Sequence, residues 1–516
     1  MKPPVLLITP PSLFLLDERV FISLGILKVG SSLEAAGHQV EMLDLSGIEN
    51  FEEVASIQAF LTPATHACIT ITTPQLPAAV KIAAAIRATR PDVRIVAGGP
   101  HVTLVHSAVK LEQKAGRVGR AHRAFDKLRQ LFDVLVSGDG EGAIHEALRP
   151  GVTFVDADDP KGLLFLTNKT YEASPWPARH LVDVKSYKYA IEGFPATSLI
   201  AQLGCPFACG FCGGRNSNML RRIRTRSTES IVSEMEHLYS TYGFTGFMLY
   251  DDELNVNKGL VGLMRSIASL QNRLGVEFRL RGFVKSELFN AEQAEAMYAA
   301  GFRWVLCGFE AAAPRILENI NKRAKLSDND SVIDVAHRHG LKVKALMSVG
   351  HPGEEEGTIL AVRDWLVSRA PDDFDCTTIT TYPGTPYYDE ALPHPELADV
   401  WTYIAKSGDR LHSYDVDYTA VADYYKGDPA GGYRSYVFTD KLPSEEIVRL
   451  RDQVEEEARA ALSIPFNPGA PGVRFEASMG QLGRLPANIL RSSGEHSMSH
   501  GMVRNAGTLD VAEVGE

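Results

Sequence analysis

Twice along the chain, short apolar runs of strand length alternate with stretches of helical apolar spacing, a doubled alternation that restricts the fold to parallel α/β sheets with crossover helices. The first series begins with the buried-strand run Val5-Leu6-Leu7-Ile8-Thr9, which ends in Pro10-Pro11. Helical spacing over residues 24–36 stops at Gly37, and strand-like runs follow at 39–43, 67–72, 94–97 and 133–137, with a helical stretch at 78–89. The pattern predicts a doubly wound, mostly parallel sheet over residues 1–150. Ligands of such sheets bind at the carboxyl ends of the strands. Those ends here are Thr9-Pro10-Pro11, Thr72-Thr73-Pro74, Gly98-Gly99-Pro100-His101 and Gly138-Asp139-Gly140-Glu141, whose small residues allow close backbone approach and which also read as ordinary turns.

Residues 113–129 are rich in Arg and Lys around Gly116 and Gly119 and read as a solvated insertion. Over residues 151–195 the periodicity weakens and Pro175, Pro177 and Pro195 appear, as expected of a linker with one short hairpin. A second alternation has strand-like runs at 197–202, 246–250, 277–281, 304–308, 342–348 and 375–381, with helical stretches at 228–242, 290–300 and 330–339. Six strands with crossovers predict a partial (β/α)6 barrel over residues 196–390. Arg279 and Arg281 alternate with apolar residues, so both face one side, paired with carboxylates if inward and solvated if outward. Residues 391–500 change character, with Trp401, Tyr403, Tyr414, Tyr418, Tyr424 and Tyr425 and a helix at about 444–462. This region reads as a substrate-binding lid over the barrel mouth or as packing on the barrel's open edge. Residues 501–516 read as a disordered tail.

A chain of 516 residues, at about 150 per domain, should hold two to four domains. Its 45% hydrophobic and 23% charged content is ordinary for a soluble globular protein. The net charge of −11 offers no field for drawing in a polyanion, so a small molecule is expected as partner, not DNA or RNA. With no secretory signal and no apolar run of membrane-spanning length, a cytoplasmic protein is expected. Six cysteines are too few for a disulfide scaffold, and three fall within eight residues, Cys205-Pro-Phe-Ala-Cys209-Gly-Phe-Cys212. Soft thiolates suit iron–sulfur chemistry, and a cubane held by three thiolates leaves one iron open to a chelating ligand. Zinc or a redox disulfide are the alternatives, although zinc needs a fourth ligand and no His falls near the triad. Cys68, Cys307 and Cys376 lie in apolar strand segments and read as core thiols.

The triad resembles that of the radical S-adenosylmethionine (SAM) superfamily, whose CxxxCxxC pattern carries an aromatic residue before the third cysteine, here Phe211. The resemblance implies a [4Fe–4S] cluster on Cys205, Cys209 and Cys212 that binds SAM and cleaves it to a 5′-deoxyadenosyl radical, fed by an external electron donor of flavodoxin or ferredoxin type. Further motifs are similar to the family's, each at the end of an expected strand. Tyr250-Asp251-Asp252-Glu253 resembles the acidic element near the SAM amino group, and Gly308-Phe309-Glu310, with Arg315 and Lys322 downstream, resembles the GxE segment. Gly350-His351-Pro352-Gly353-Glu354 and Tyr382-Pro383-Gly384-Thr385-Pro386 resemble the two elements that follow. Phe211, Asp251, Asp252, Glu253 and Glu310 are thereby implied as SAM-binding residues, the carboxylates reading also as helix caps or barrel-mouth groups. Arg281 and Cys307, the latter close to Glu310, are the candidates for substrate chemistry.

The first 150 residues resemble the Rossmann-like cobalamin-binding domain that precedes the barrel in one large radical SAM subfamily. The DxHxxG signature that gives cobalt a His ligand is missing, and His101 lies in a different context. The resemblance therefore implies cobalamin with its base detached, held by Thr9, Pro10, Pro11, Thr72, Thr73, Gly98, Gly99, Pro100, His101, Gly138, Gly140 and Glu141. It implies a methyltransferase that moves a methyl group through methylcobalamin to an unactivated carbon, or phosphorus, of a small molecule, with secondary-metabolite biosynthesis as the nearest analogy. A cobalamin-dependent radical cyclase or rearrangement enzyme, and a non-catalytic cobalamin-binding module, are the alternatives.

Overall fold

The computed structural model describes residues 2–12, 18–421, 434–464 and 489–493; Tyr424, Tyr425 and the 501–516 tail lie outside them. In the first sheet β1 (Val5–Thr9), β2 (Val40–Asp44), β3 (His66–Thr70), β4 (Arg94–Gly98), β5 (Val134–Gly138) and β6 (Phe154–Ala157) run parallel in the order β2-β1-β3-β4-β5-β6. Strand alternation divides the apolar residues between the two faces. Val5 and Leu7 pack on α1 (Leu24–Ala35) and on the helix over Gly140–Ala147. Leu6 and Ile8 face α2 (Phe51–Leu61), α3 (Leu76–Thr89), α4 (Pro100–Lys114) and α5 (Arg120–Leu131). Helix α6 (Gly140–Ala147) follows β5. The basic residues 113–129 are not a solvated insertion. They end α4 and form α5, the turn being fixed by the Glu112 carboxylate, which accepts from Gly119 N (2.9 Å), Ala121 N (3.0 Å) and His122 N (3.1 Å).

The segment read as a linker supplies β6 to this sheet, then α7 (Asn168–Ala173) and the expected hairpin, β7 (Ala190–Ile191) against β8 (Phe194–Leu199). The short antiparallel pair β9 (Gln202–Leu203) and β10 (Arg224–Thr225) closes a loop that holds the three cysteines and α8 (Asn218–Arg221). The half-barrel continues through α9 (Thr228–Tyr242), β11 (Gly246–Leu249), α10 (Leu260–Leu274), β12 (Arg279–Phe283), α11 (Ala291–Ala299) and β13 (Phe302–Glu310). Helices α12 (Pro314–Ile320) and α13 (Leu326–Arg338), strand β14 (Lys342–Val349), α14 (Glu356–Arg369) and β15 (Asp373–Thr378) complete it. All six strands expected from the sequence are present, in the order β8-β11-β12-β13-β14-β15, with the hairpin strand β7 added beside β8. Helix boundaries follow local chemistry: α9 starts where Ser227 Oγ accepts from Ser230 N (3.1 Å) and ends at Gly243, whose φ of 78° favours glycine.

After α15 (Pro386–Asp389), β16 (Leu392–Pro393), β17 (Val400–Ile404), β18 (Arg410–Tyr414) and β19 (Val437–Thr439) form an antiparallel sheet. The aromatic segment is thus built into a wall: Trp401 lies against Arg120, Tyr403 against Tyr387, and the Tyr418 hydroxyl donates to Thr381 O (2.5 Å). The last long helix, α16 (Ser444–Leu462), covers the free edge of β15. Glu455 Oε1 accepts from Cys376 N (2.7 Å), Arg451 Nε donates to Cys376 O (2.7 Å), and Arg459 donates to Phe374 O. These three residues, spaced by four, share one helix face. Strand β20 (Leu490–Ser492) returns antiparallel to β2.

One hydrophobic cluster runs from Val5, Leu7 and Val136 of the first sheet through Leu181, Val184 and Tyr187 to Ile231 and Met235 of the half-barrel's helix layer. Buried polar ties reinforce it. Arg224 (1% exposed) pairs with Asp139 (6% exposed) and donates to Met219 O (2.9 Å). Asp158 accepts from Ser217 Oγ (2.8 Å) and Met219 N (2.7 Å), and Arg120 lies 3.5 Å from the Tyr388 ring centre while donating to Tyr388 O (2.7 Å). Arg224→Leu leaves Asp139 buried without its counter-charge and is expected to lower unfolding free energy by about 3–5 kcal/mol. A denaturant titration checks this, and adding Asp139→Leu should recover much of the loss.

Candidate active site at the facing strand ends

The cysteine loop is held from several sides. Cys205 N donates to Leu220 O (3.0 Å), Gly210 N to Ile320 O (2.8 Å) at the end of α12, and Tyr387 N to Gly210 O (3.0 Å). Asn321 Nδ2 reaches Ala208 O (3.0 Å), and a side chain at Gly210 would collide with the Tyr387 ring. Cys209 packs on Ile316, Leu317 and Ile320, with Phe211 beside it. Burial raises all three thiol pKa values, that of Cys212 to about 12, and binding a metal would displace the thiol protons. Among the described residues no group of three or more His, Cys, Asp or Glu is arranged to hold a single metal ion. A cubane makes no such demand, because its thiolates bind different irons, and an all-sulfur donor set suits it.

Around this loop the expected carboxylates take different parts. Asp251 (2% exposed) accepts from Ala201 N (2.7 Å) and Gln202 N (3.1 Å), tying the end of β11 to the segment before the cysteines; burial raises its pKa to about 7. Asp252 feels the Arg215 charge, and burial raises its pKa too. Burial brings Glu253 to about 7 despite Lys322 and Lys285, and its buried Oε2 has no hydrogen-bond partner among the described residues. An ammonium group would satisfy that oxygen. Glu310, at a φ of 67° rare for a residue other than glycine, ends β13. Its Oε1 is 3.1 Å from Lys322 Nζ and its Oε2 accepts from Ser348 Oγ (2.7 Å). The absent side chain of Gly308 leaves room for the Glu310–Lys322 pair.

Beyond Ser348 the chain of contacts continues to residues that the motifs did not assign a role. Ser348 Oγ is 2.9 Å from His351 Nε2, and His351 Nδ1 is 3.4 Å from the Tyr387 hydroxyl. Burial, with Lys322 nearby, lowers the His351 pKa to about 3, so the ring is neutral. Phe211 meets it edge-on at 5.5 Å. A histidine beside a Gly-Pro-Gly-Glu turn was visible in the sequence, but its Tyr387 partner lies 36 residues away and could not be read from spacing. Cys307 is fully buried among apolar residues such as Val305 and Phe309 between the half-barrel and its helices. Arg281 is buried on the opposite face, in register with Met248. Arg279 pairs with Glu277 (2.6 Å) and Glu192 (3.4 Å).

Across from the loop lies a largely apolar cavity of about 240 Å³ at the carboxyl ends of the first sheet. Of the residues singled out there, Gly98, Gly99, Pro100, Gly138, Gly140 and Glu141 line it, joined by Leu7, Cys68, Thr70 and Val136. A side chain at Gly99 would press on the Ile71 backbone and one at Gly138 on that of Ala157, so glycine is required for this close approach. Its far wall is Ile200, Leu203, Met219 and Arg226, the residues flanking the cysteine loop. Thr9, Pro10, Pro11, Thr72, Thr73 and His101 do not line it. Thr9 O accepts from Leu45 N (3.0 Å), Gln75 links Thr72 N (3.1 Å) to Pro10 O (2.9 Å), and Thr73 Oγ1 is 3.0 Å from His101 Nδ1.

Two mutually facing sets of strand ends, one with a three-cysteine loop and one with glycine-lined turns, are the arrangement of a two-cofactor enzyme. Residues 199–366 match the radical SAM superfamily, and residues 18–129 match the B12 binding domain. The chain is a radical SAM enzyme. It carries a cobalamin-binding domain, and its cofactors are a [4Fe–4S] cluster, SAM and cobalamin. An uncharacterized methyltransferase of Pyrococcus horikoshii is 27% identical over 75% of this chain and 83% of its own length. The anaerobic magnesium-protoporphyrin IX monomethyl ester cyclase of Cereibacter sphaeroides is 24% identical over 63% of this chain and 57% of its own. In fold the chain is similar to the radical SAM methyltransferase TsrM from Kitasatospora setae, solved with cobalamin and a [4Fe–4S] cluster, with a TM-score of 0.60 over 92% of both chains at 17% identity. No helix among the described residues is long and apolar enough to cross a membrane.

His101, although it does not line the cavity, gives the fold's stability a pH dependence. It is 2% exposed, and burial lowers its pKa to about 4, whereas an unfolded histidine titrates near about 6.5. The stability this neutral ring contributes is present above about pH 6.5 and is lost as the pH falls toward 4, where only the unfolded chain takes up the proton. Between about pH 7.5 and 4.5, wild type should lose roughly 2–3 kcal/mol more than His101→Asn in denaturant unfolding.

Proposed function

We propose that this chain is a cobalamin-dependent radical SAM methyltransferase that adds a methyl group to an unactivated carbon, or phosphorus, of a small molecule, in the manner of secondary-metabolite enzymes. The observation that carries the reading is a juxtaposition: Ile200, Leu203 and Met219, which flank the cysteine loop in the chain, also line the glycine-lined cavity, so the two candidate cofactor sites are neighbours. Matches to the methyltransferase and to the cyclases are of similar length, 408 residues against 350–403, and the higher identity, 27% against 23–24%, lies on the methyltransferase side. When bound, the cluster supplies the electron that cleaves SAM and cobalamin supplies a methyl-carrying cobalt.

In this reading Cys205, Cys209 and Cys212 hold the cluster, and Phe211 packs beside them. The unpaired Glu253 Oε2 accepts from the SAM ammonium, with Asp252 adding negative charge. Glu310 and Lys322 neutralise each other and hold the end of β13 in place. Gly98, Gly99, Gly138 and Gly140 bring backbone close to the corrinoid, and the apolar cavity behind them receives its detached base. Arg281, buried inside the half-barrel, is the candidate for substrate chemistry, whereas Cys307 belongs to the packing layer. The electron comes from an external flavodoxin or ferredoxin. The substrate of TsrM bound in its solved structure is tryptophan, a small molecule, and a small-molecule substrate fits this chain's acidic balance as well.

Anaerobic purification with cobalamin supplied should give a protein that carries iron, sulfide and one corrinoid, and turnover should yield S-adenosylhomocysteine and a product heavier by one methylene unit. Cys209→Ala should abolish iron binding and SAM cleavage while keeping the corrinoid. A product of methylation mass separates this reading from the cyclase alternative, and a protein that never retains corrinoid refutes it.

A further inference from the structure

We infer that Arg215 is the positioning residue of the cysteine loop: its guanidinium fastens the two ends of the cysteine segment together and sets a fixed positive charge beside the cluster those cysteines hold. The inference rests on the cluster reading above and goes beyond it by naming what assembles the loop. From Gly204 to Asn216 the chain forms neither helix nor strand, so its carbonyl groups need partners from elsewhere. Arg215 supplies them from both ends. Its Nη1 donates to Cys205 O (3.0 Å) and to Phe207 O, and its Nε to Gly213 O (3.3 Å). The carbonyls of the first cysteine and of the residue after the third are thereby bound to one rigid group.

The side chain is 6% exposed, and a buried cation requires counter-charge. The ionisable groups in its field are Cys212, Cys205 and Asp252, two of the three thiolates and one neighbouring carboxylate. Arg221 extends the clasp, donating to Arg215 O (3.4 Å) and to Pro206 O (2.9 Å). Only the planar fork of arginine can reach carbonyls in these separate directions, whereas a lysine keeps the charge and loses the span. Two effects follow. The loop is held ready for its cluster, and one-electron reduction, which adds negative charge to the cluster, is favoured by the fixed cation.

Full-length wild type, Arg215→Lys and Arg215→Gln, reconstituted anaerobically, test both effects through iron loss to a chelator and the midpoint potential from a redox titration followed by electron paramagnetic resonance. Circular dichroism controls for folding. Arg215→Gln should lose iron about 10-fold faster or more and show a lower midpoint potential. Arg215→Lys should keep a midpoint near that of wild type while losing iron faster. Wild-type behaviour of Arg215→Gln in both measurements overturns the inference. Should that variant not fold, wild-type iron retention by Arg215→Lys overturns the clasp instead. A wild-type protein that holds no cluster defeats the underlying reading, a separate and recognisable outcome.

Discussion

The Arg224 guanidinium and the Asp139 carboxylate meet where almost no water reaches, one on the strand that closes the cysteine loop, the other at the head of the turn after β5. Removing two charges from water costs several kcal/mol per ion, and only good geometry with further hydrogen bonds offsets it. Here Met219 O and Leu166 O take further bonds from the two Nη atoms, at 2.9 and 3.3 Å, while the buried Nε has no hydrogen-bond partner among the described residues. The pair contributes less to net stability than to register. It fixes the cysteine loop relative to the Gly138–Glu141 turn, and the cavity between them inherits its shape from that relation. The shared hydrophobic cluster could hold the two sheets together by itself, but apolar contact is non-directional and would tolerate sliding.

A second constraint operates at the end of β13. Glu310 holds a left-handed backbone that costs of the order of 1–3 kcal/mol for a side-chain-bearing residue. It persists because both carboxylate oxygens are bound, one by Lys322 and one by Ser348, and because Ser348 is itself held by a neutral histidine. A charge-assisted network of this kind is strong when complete and expensive when one member is missing. It joins β13, β14, α15 and the turn beyond α12, so the cysteine loop, which leans on Tyr387 and Ile320, rests on the same frame.

Most strands of both sheets were legible because they are short apolar runs bounded by turn residues, and the half-barrel's six strands emerged with ends within a few residues of those read from periodicity. What escaped was structure whose cause lies far away in the chain. Strand β6 carries only four residues and depends on β5 for its existence, and β17 and β18 look like an aromatic-rich coil until they are paired. Arg120 sits in a basic stretch that composition marks as solvated, yet it is buried because Tyr388 and Trp401, more than 250 residues later, enclose it. The cysteines and the GxE segment announced themselves by local spacing. Arg215, Ser348 and Tyr387 did not, since an arginine, a serine and a tyrosine gain their meaning only from carbonyls and rings brought to them by the fold.

The half-barrel is open, and β15 would present a row of unpaired backbone groups to any passing strand. Helix α16 answers with side chains, not with another strand: Arg451, Glu455 and Arg459 bond the edge along one helical face. A strand used as a seal must match its neighbour residue by residue. A helix needs three contact points and leaves the rest of its length unconstrained. The helix that finishes the barrel can therefore change in sequence and tilt without disturbing strand register, which makes it the part of this architecture most open to remodelling.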